Sequence, residues 1–209
     1  MDAAVAARLT AGIRGLGLAL APAQVEALGT LLDELADWNT RVNLTAIKDP
    51  AEAVDKHLLD SLALLPHLGG LAVADVGSGA GFPGLPLAIA DPDRRFVLIE
   101  ATGKKAGFLR HMVERLDLPN VEVVPLRAES YRPSRPFDVV VARALGPLAE
   151  FVRVAGHLAR RGGRLFAMKG KVPEAEIKAL PPGWKAVAVH PVAIPGLDAE
   201  RCFVELARV

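Results

Sequence analysis

The chain has 209 residues, 51% of them hydrophobic, enough to bury a sizeable core as one domain or as one domain with an appended subdomain. Its apolar runs are far shorter than the roughly 20 residues that span a bilayer, so no transmembrane helix is expected. The single cysteine, Cys202, excludes an internal disulfide, and no Cys/His cluster has zinc spacing, so a reducing compartment, the cytoplasm, and no metal are expected. The opening Met1-Asp2 leads into no basic segment or cleavage site, and a signal peptide is not expected. The formal charge of +1 lacks the basic excess common in nucleic-acid binders, but it is unevenly spread. Residues 1 to 60 hold five Lys/Arg against nine Asp/Glu, and the basic groups cluster later, around Lys104-Lys105, Arg127 and Arg160-Arg161. Read alone, these clusters are solvated helix faces and loops.

In chain order, Val25, Leu28, Leu31, Leu32, Leu35 and Trp38 recur at helical spacing with Asp33, Glu34 and Asp37 opposite, which predicts an amphipathic helix. Asp49 followed by Pro50 reads as an N-cap and first helical residue, opening a helix through Val54, Leu58, Leu62 and Leu65 that Pro66 and Gly69-Gly70 stop. From Leu71 onward, short apolar runs alternate with helical stretches: 71–76, 95–99, 121–126, 137–142 and 163–168. Continuous runs such as Val139-Val140-Val141 suit parallel strands covered on both faces. Two more runs, 184–190 and 201–207, read as a closing antiparallel pair. The expected fold is α/β: a doubly wound, seven-stranded, mostly parallel sheet in residues 67–209, with an N-terminal helical subdomain, 1–66, packed against it.

The most informative stretch is Asp75-Val76-Gly77-Ser78-Gly79-Ala80-Gly81-Phe82-Pro83-Gly84, where the first strand gives way to a helix. Glycines there let a ligand approach the backbone closely, at the strand edge where nucleotide-like ligands bind in doubly wound sheets. Residues 79–84 match the G-x-G-x-x-G dinucleotide fingerprint, a weak signal alone. The run Gly77, Gly79, Gly81 behind an acidic residue is instead the methyltransferase pattern, and Pro83 removes an amide where a pyrophosphate needs donors. These features favour S-adenosylmethionine over NAD, with Asp75, Gly77, Ser78, Gly79 and Gly81 around it. Glu100, 23 residues after Gly77, is placed to accept from a ribose diol, and Ala128-Glu129 closes the next strand edge, where an adenine fits.

With these residues in view, the chain closely resembles the bacterial 16S rRNA guanine-N7 methyltransferase family, also known as the glucose-inhibited division protein B family. The resemblance runs through Trp38-Asn39, Asn43-Leu44-Thr45, His57 to Asp60-Ser61, the turn 75–84, Lys104-Lys105 with Phe108-Leu109, Arg127 with Glu129, Phe137-Asp138, Arg143-Ala144 and Lys169-Gly170. It implies a pocket for S-adenosylmethionine lined by Gly77, Phe82, Ala128, Glu129 and Arg143, with Glu100 on the ribose. It also implies a 16S rRNA or 30S subunit partner, a guanine of the decoding-region loop as substrate, and Asn43, Arg127, Arg143, Lys169 and Arg201 around the RNA or target base.

Guanine N7 is already a nucleophile and a sulfonium methyl is already activated, so the protein's work is alignment and water exclusion. Arg143 or Lys169 is the candidate to bind guanine O6 or a neighbouring phosphate in catalysis. Trp38 and His57 read as packed residues rather than catalysts. Three other readings share these features: a methyltransferase for a small molecule or protein, an NAD-dependent oxidoreductase, and an RNA-binding assembly factor without turnover. A monomer is the default for a chain of this size.

Overall fold

A computed structural model describes all 209 residues and builds them around one seven-stranded sheet with strand order β3-β2-β1-β4-β5-β7-β6. The strands are β1 (Ala72–Val76), β2 (Arg95–Ile99), β3 (Val121–Val124), β4 (Phe137–Arg143), β5 (Ala159–Lys169), β6 (Trp184–Val192) and β7 (Arg201–Arg208). The first five run parallel, and β7 inserts antiparallel between β5 and β6. The expected β/α alternation and closing antiparallel pair are both present. Most boundaries fall within one or two residues of the sequence expectation, and two of the differences have a visible cause. β3 ends at Val124 because Pro125 has no N–H to continue the ladder, which leaves Leu126 46% exposed. β5 begins earlier than Gly163, through an irregular pairing with β4 in which the register shifts between Phe137 and Val139.

The sheet is covered on both faces, and strand alternation divides the core in two. Val73, Phe96, Leu98, Val139, Val141, Phe166 and Phe203 face one cluster of 35 buried residues, which also holds Leu9, Leu28, Leu31, Leu58 and Leu62. The N-terminal helices, α1 (Ala3–Gly15) and α2 (Pro22–Asn39), thus share a core with the sheet, joined by α5 (Gly84–Ala90) and α6 (Gly103–Arg115). The opposite face holds 20 buried residues, including Val76, Ile99, Val140 and Leu165, under α7 (Leu148–Ala155). No helix is long and apolar enough to cross a membrane.

Asp49 caps the next helical segment as expected, its carboxylate accepting from Ala51 N at 3.0 Å with Pro50 in the first turn. That segment is not a uniform α-helix. It runs as α3 (Pro50–Ala53), a π-helical stretch (Val54–Leu59) and α4 (Asp60–Leu62), then a separate 3-10 turn, Leu65–His67, that takes in Pro66. The π stretch widens the helix by one residue per turn and turns its polar groups inward, a distortion common at functional sites. Asp55 and His57 within it, and Asp60 and Ser61 directly after it, are all buried.

Candidate active site

The first strand ends in a turn that only glycine tolerates. Gly77, Gly79 and Gly81 have φ of 69°, 58° and 89°, in the left-handed region where a Cβ is strained. Gly84 is required for space: a Cβ there would stand 2.2 Å from Leu98 Cδ2 and 2.8 Å from Asp75 Oδ2. Asp75 lies beneath the turn, 1% exposed, and Oδ2 accepts from Gly84 N at 3.0 Å while Ser78 Oγ donates to the Asp75 carbonyl at 2.9 Å. Its Oδ1 is buried without a partner, and burial pushes the carboxyl up to about 7. Beside the turn, Glu100 Oε2 accepts from Gly79 N at 2.9 Å and Oε1 from Thr102 N at 2.7 Å, so the carboxylate is fixed at the end of β2. Lone pairs on both oxygens remain for hydroxyl donors. Positive-φ glycines, a fixed carboxylate beside them and an unsatisfied one below suit a cationic ligand bearing a diol, and S-adenosylmethionine is one.

Across the switch point between β1 and β4, Asp75 pairs in register with Val141, and Arg143 closes β4. Alternation turns Arg143 toward the N-terminal helices. Its Nη1 donates to the Lys56 carbonyl at 2.9 Å and to Asp60 Oδ2 at 3.4 Å, its Nη2 lies 3.3 Å from His57 Nδ1, and its guanidinium sits 5.4 Å from the Phe82 ring centre. Three of those partners belong to the π stretch or the residue after it. His57 stacks on Phe82 at 4.5 Å and contacts Thr45 Oγ1 through Nε2 at 2.8 Å. Because Arg143 can only donate, Nδ1 accepts, and the imidazole proton resides on Nε2. Burial and the Arg143 charge lower His57 to about 4, so the ring is neutral and structural, as the sequence suggests.

Asp60 bridges two cations. Its Oδ1 accepts from Arg201 Nε at 3.1 Å, which brings the start of β7 to Arg143. Burial pushes the Asp60 carboxyl up, and the two guanidiniums oppose that shift. Ala144 follows Arg143 with φ 56°, a strained conformation for a residue with a Cβ, at the rim of a cleft of ≈ 530 Å³. The cleft is lined by Lys56, His57, Asp60, Arg143, Lys169 and Arg201 among others.

The model for a family described as "rRNA small subunit methyltransferase G" matches residues 24–204. The chain belongs to that family. A "Ribosomal RNA small subunit methyltransferase G" from Azoarcus sp. is 45% identical over 204 residues, covering 97% of this chain and 96% of its relative. One of the same name from Chromobacterium violaceum is 48% identical, covering 96% of each. Among solved structures, the fold is similar to the glycopeptide N-methyltransferase MtfA complexed with S-adenosylmethionine, with a TM-score of 0.63 and 11% identity over 73% of this chain and 95% of that one. It is also similar to a SAM-dependent methyltransferase from Aquifex aeolicus, with a TM-score of 0.58 and 21% identity over 77% and 94%. Family membership makes the protein a methyltransferase with S-adenosylmethionine as its methyl donor.

In this methyltransferase the residues predicted from sequence form two groups and leave some apart. Asp75, Gly77, Ser78, Gly79, Gly81, Phe82 and Glu100 converge on the turn; Arg143, Lys169 and Arg201 converge on the cleft beside it. Lys169 reaches in from the other sheet face, its Nζ donating to Gly146 O at 2.7 Å and Glu176 Oε2 at 2.8 Å. Ala128 is buried in a 3-10 turn after β3, while Glu129 and Arg127 are exposed there. Asn43 is also exposed and lies outside the cleft, in a groove with Arg41, Thr102, Lys104 and Lys105. The sequence reading did not assign roles to Asp60, Thr45 or Asn39. Asn39 fixes the loop before α3: Oδ1 accepts from Leu44 N at 2.8 Å and Thr45 N at 3.0 Å, and Nδ2 donates to Thr45 O at 2.9 Å. The signal available for all three was their place in the motifs that carry the family resemblance.

Proposed function

We propose that the protein transfers the methyl group of S-adenosylmethionine to N7 of a guanine in 16S ribosomal RNA, in the decoding-region loop, and works in the cytoplasm as a monomer. The observation that carries this reading is the cleft bearing Arg143, Lys169 and Arg201 directly across the β1/β4 switch point from the glycine turn. Its volume of ≈ 530 Å³ falls in the ~300–1,000 Å³ range of small-molecule pockets, which suits a single base turned out of its stack. When bound, S-adenosylmethionine supplies an electrophilic methyl group on a sulfonium. Gly77, Gly79, Phe82 and Glu100 would hold it, with Ala128 on the adenine side. The cleft guanidiniums supply paired N–H donors for guanine O6 or an adjacent phosphate. The lone pair of N7 forms the new bond as the carbon–sulfur bond breaks, so no proton leaves and no general base is needed. That agrees with a site whose one histidine is held neutral by structural contacts.

The direct test is label transfer from S-adenosylmethionine to 30S subunits and to naked 16S RNA from cells lacking the family enzyme. Label at guanine N7 is the expected result; label at another base position would overturn the assignment of the target atom.

The groove beside Glu100 extends the same reading to the RNA backbone. Lys104 and Lys105 lie in the first turn of α6, directly after Gly103 and the N-cap Thr102, whose amide is tied to Glu100, so positive charge and helix N-terminus coincide there. Replacing both lysines by alanine is expected to weaken RNA binding uniformly and to reduce the slope of log K against log salt by about 1 to 2, read in a filter-binding salt series. An unchanged slope would place the phosphate contacts elsewhere.

A further inference from the structure

We propose that Asp60 is a positioning residue for methyl transfer, aiming the Arg201 guanidinium, beside that of Arg143, at the oxygen acceptors of the target nucleotide; the inference rests on the functional reading above. Asp60 is 3% exposed and sits at the end of the π stretch, where each carboxylate oxygen meets a different arginine: Oδ2 with Arg143 at 3.4 Å and Oδ1 with Arg201 at 3.1 Å. Those arginines come from β4 and β7, strands that are not neighbours in the sheet. A buried acid on an N-terminal helix is therefore what ties them into one array.

The way the donors are shared assigns the roles. Arg143 is engaged through both amino groups, by the Lys56 carbonyl, Asp60 and His57, and is half immobilised within the protein. Arg201 commits only Nε to Asp60 and one Nη1 hydrogen to the Glu200 carbonyl, leaving its Nη2 amino group uncommitted beside the cleft. A guanidinium pinned by Nε with an Nη edge open is arranged for paired contact with a phosphate or carbonyl oxygen. The bridging carboxylate also offsets the repulsion of two cations that would otherwise drive Arg201 toward solvent. Arg201 belongs to a segment remote in sequence, 141 residues from Asp60, and its other hydrogen bond is to its own chain neighbour. Asp60 is thus the one tertiary hydrogen-bond partner of its side chain.

Asp60→Asn tests this, since it keeps the shape and one acceptor oxygen but removes the charge. Turnover on 30S subunits should fall about 10- to 100-fold, the scale of a misplaced binding group, while the Kd for S-adenosylmethionine stays within about two-fold. Binding of RNA at low salt should hold or tighten, because the cleft gains net positive charge. A residue that only supports the fold would instead lower S-adenosylmethionine binding, RNA binding and turnover together. In an Arg201→Gln background the same Asp60→Asn change should cost less than about three-fold, as expected when one residue acts through the other. Full additivity in that cycle, or undiminished turnover in the single variant, would overturn the positioning role while leaving the functional reading intact. Absence of label with the wild-type protein would remove the functional reading and the positioning role together.

Discussion

Arg143→Ala is expected to lower methyl transfer to 30S subunits by at least about 100-fold and to destabilise the protein by about 3 kcal/mol. Both effects follow from one arrangement. Arg143 ends β4 at the switch point, bonds to Lys56 and Asp60 on the N-terminal helical segment, and lies over Phe82 of the glycine turn. Removing it leaves the buried Asp60 carboxylate with Arg201 alone and deprives His57 Nδ1 of its donor. Loss of one partner from a buried pair typically costs about 3–5 kcal/mol, and the remaining Arg201 contact argues for the lower end. Arg143→Lys separates the two effects. It keeps a cation near Asp60 but lacks the planar fork that reaches Lys56, Asp60 and His57 at once, so part of the stability should return with little of the turnover. Chemical denaturation of the three proteins, alongside single-turnover label transfer, reads both quantities. Turnover of Arg143→Ala within a few-fold of wild type would exclude the guanidinium from the reaction.

The sequence carried the sheet because strands buried on both faces must be continuously apolar, and 96–99 and 139–142 are. It carried the glycine turn because positive φ at Gly77, Gly79 and Gly81 leaves little choice of residue. The Asp49-Pro50 helix start was legible for the same local reason: cap and partner lie two residues apart. The π stretch was not. Val54, Leu58 and Leu62 have ordinary α-helical spacing, and nothing local in 54–59 encodes the wider turn. What selects it is tertiary: the Lys56 carbonyl, His57 and Asp60 gain Arg143, which lies 83 to 87 residues away. The same holds for Asp60, which a helical wheel reads as a polar interruption among leucines. Its meaning depends on two arginines delivered by distant strand ends, and Arg201 in turn gains its place only once β7 has inserted between β5 and β6.

The second large effect concerns Asp75. Burial holds its carboxyl at about 7 in the folded protein, against 3.8 in the unfolded chain, and Oδ1 has no partner to offset the cost of ionisation. A raised acid binds its proton more tightly in the folded state, so its contribution to stability is fully present below pH 3.8 and is lost as pH rises through 7. Over that interval the loss amounts to about 4 kcal/mol. His57 has the opposite sign. Its pKa is lowered to about 4 from 6.5, so the unfolded chain takes up a proton that the folded one refuses, and stability rises with pH between those values. Between pH 4 and 6.5 the contributions of these two residues therefore oppose each other.

Asp75→Asn removes one of them. Relative to wild type, the variant should be nearly equal in stability at pH 4 and gain about 4 kcal/mol by pH 8, measured as the difference between urea denaturation curves at each pH. The gain should come at the expense of the ligand. A cation bound above the turn favours the ionised carboxylate, so wild-type affinity for S-adenosylmethionine should tighten as pH rises past 7, and the variant's affinity should be weaker and insensitive to pH over the same range. Stability conceded at an ionisable group under the turn would then be the counterpart of affinity for a sulfonium. A stability difference that stays constant from pH 4 to 8 would mean the carboxyl is ionised throughout and that Gly84 N satisfies it without help from a ligand.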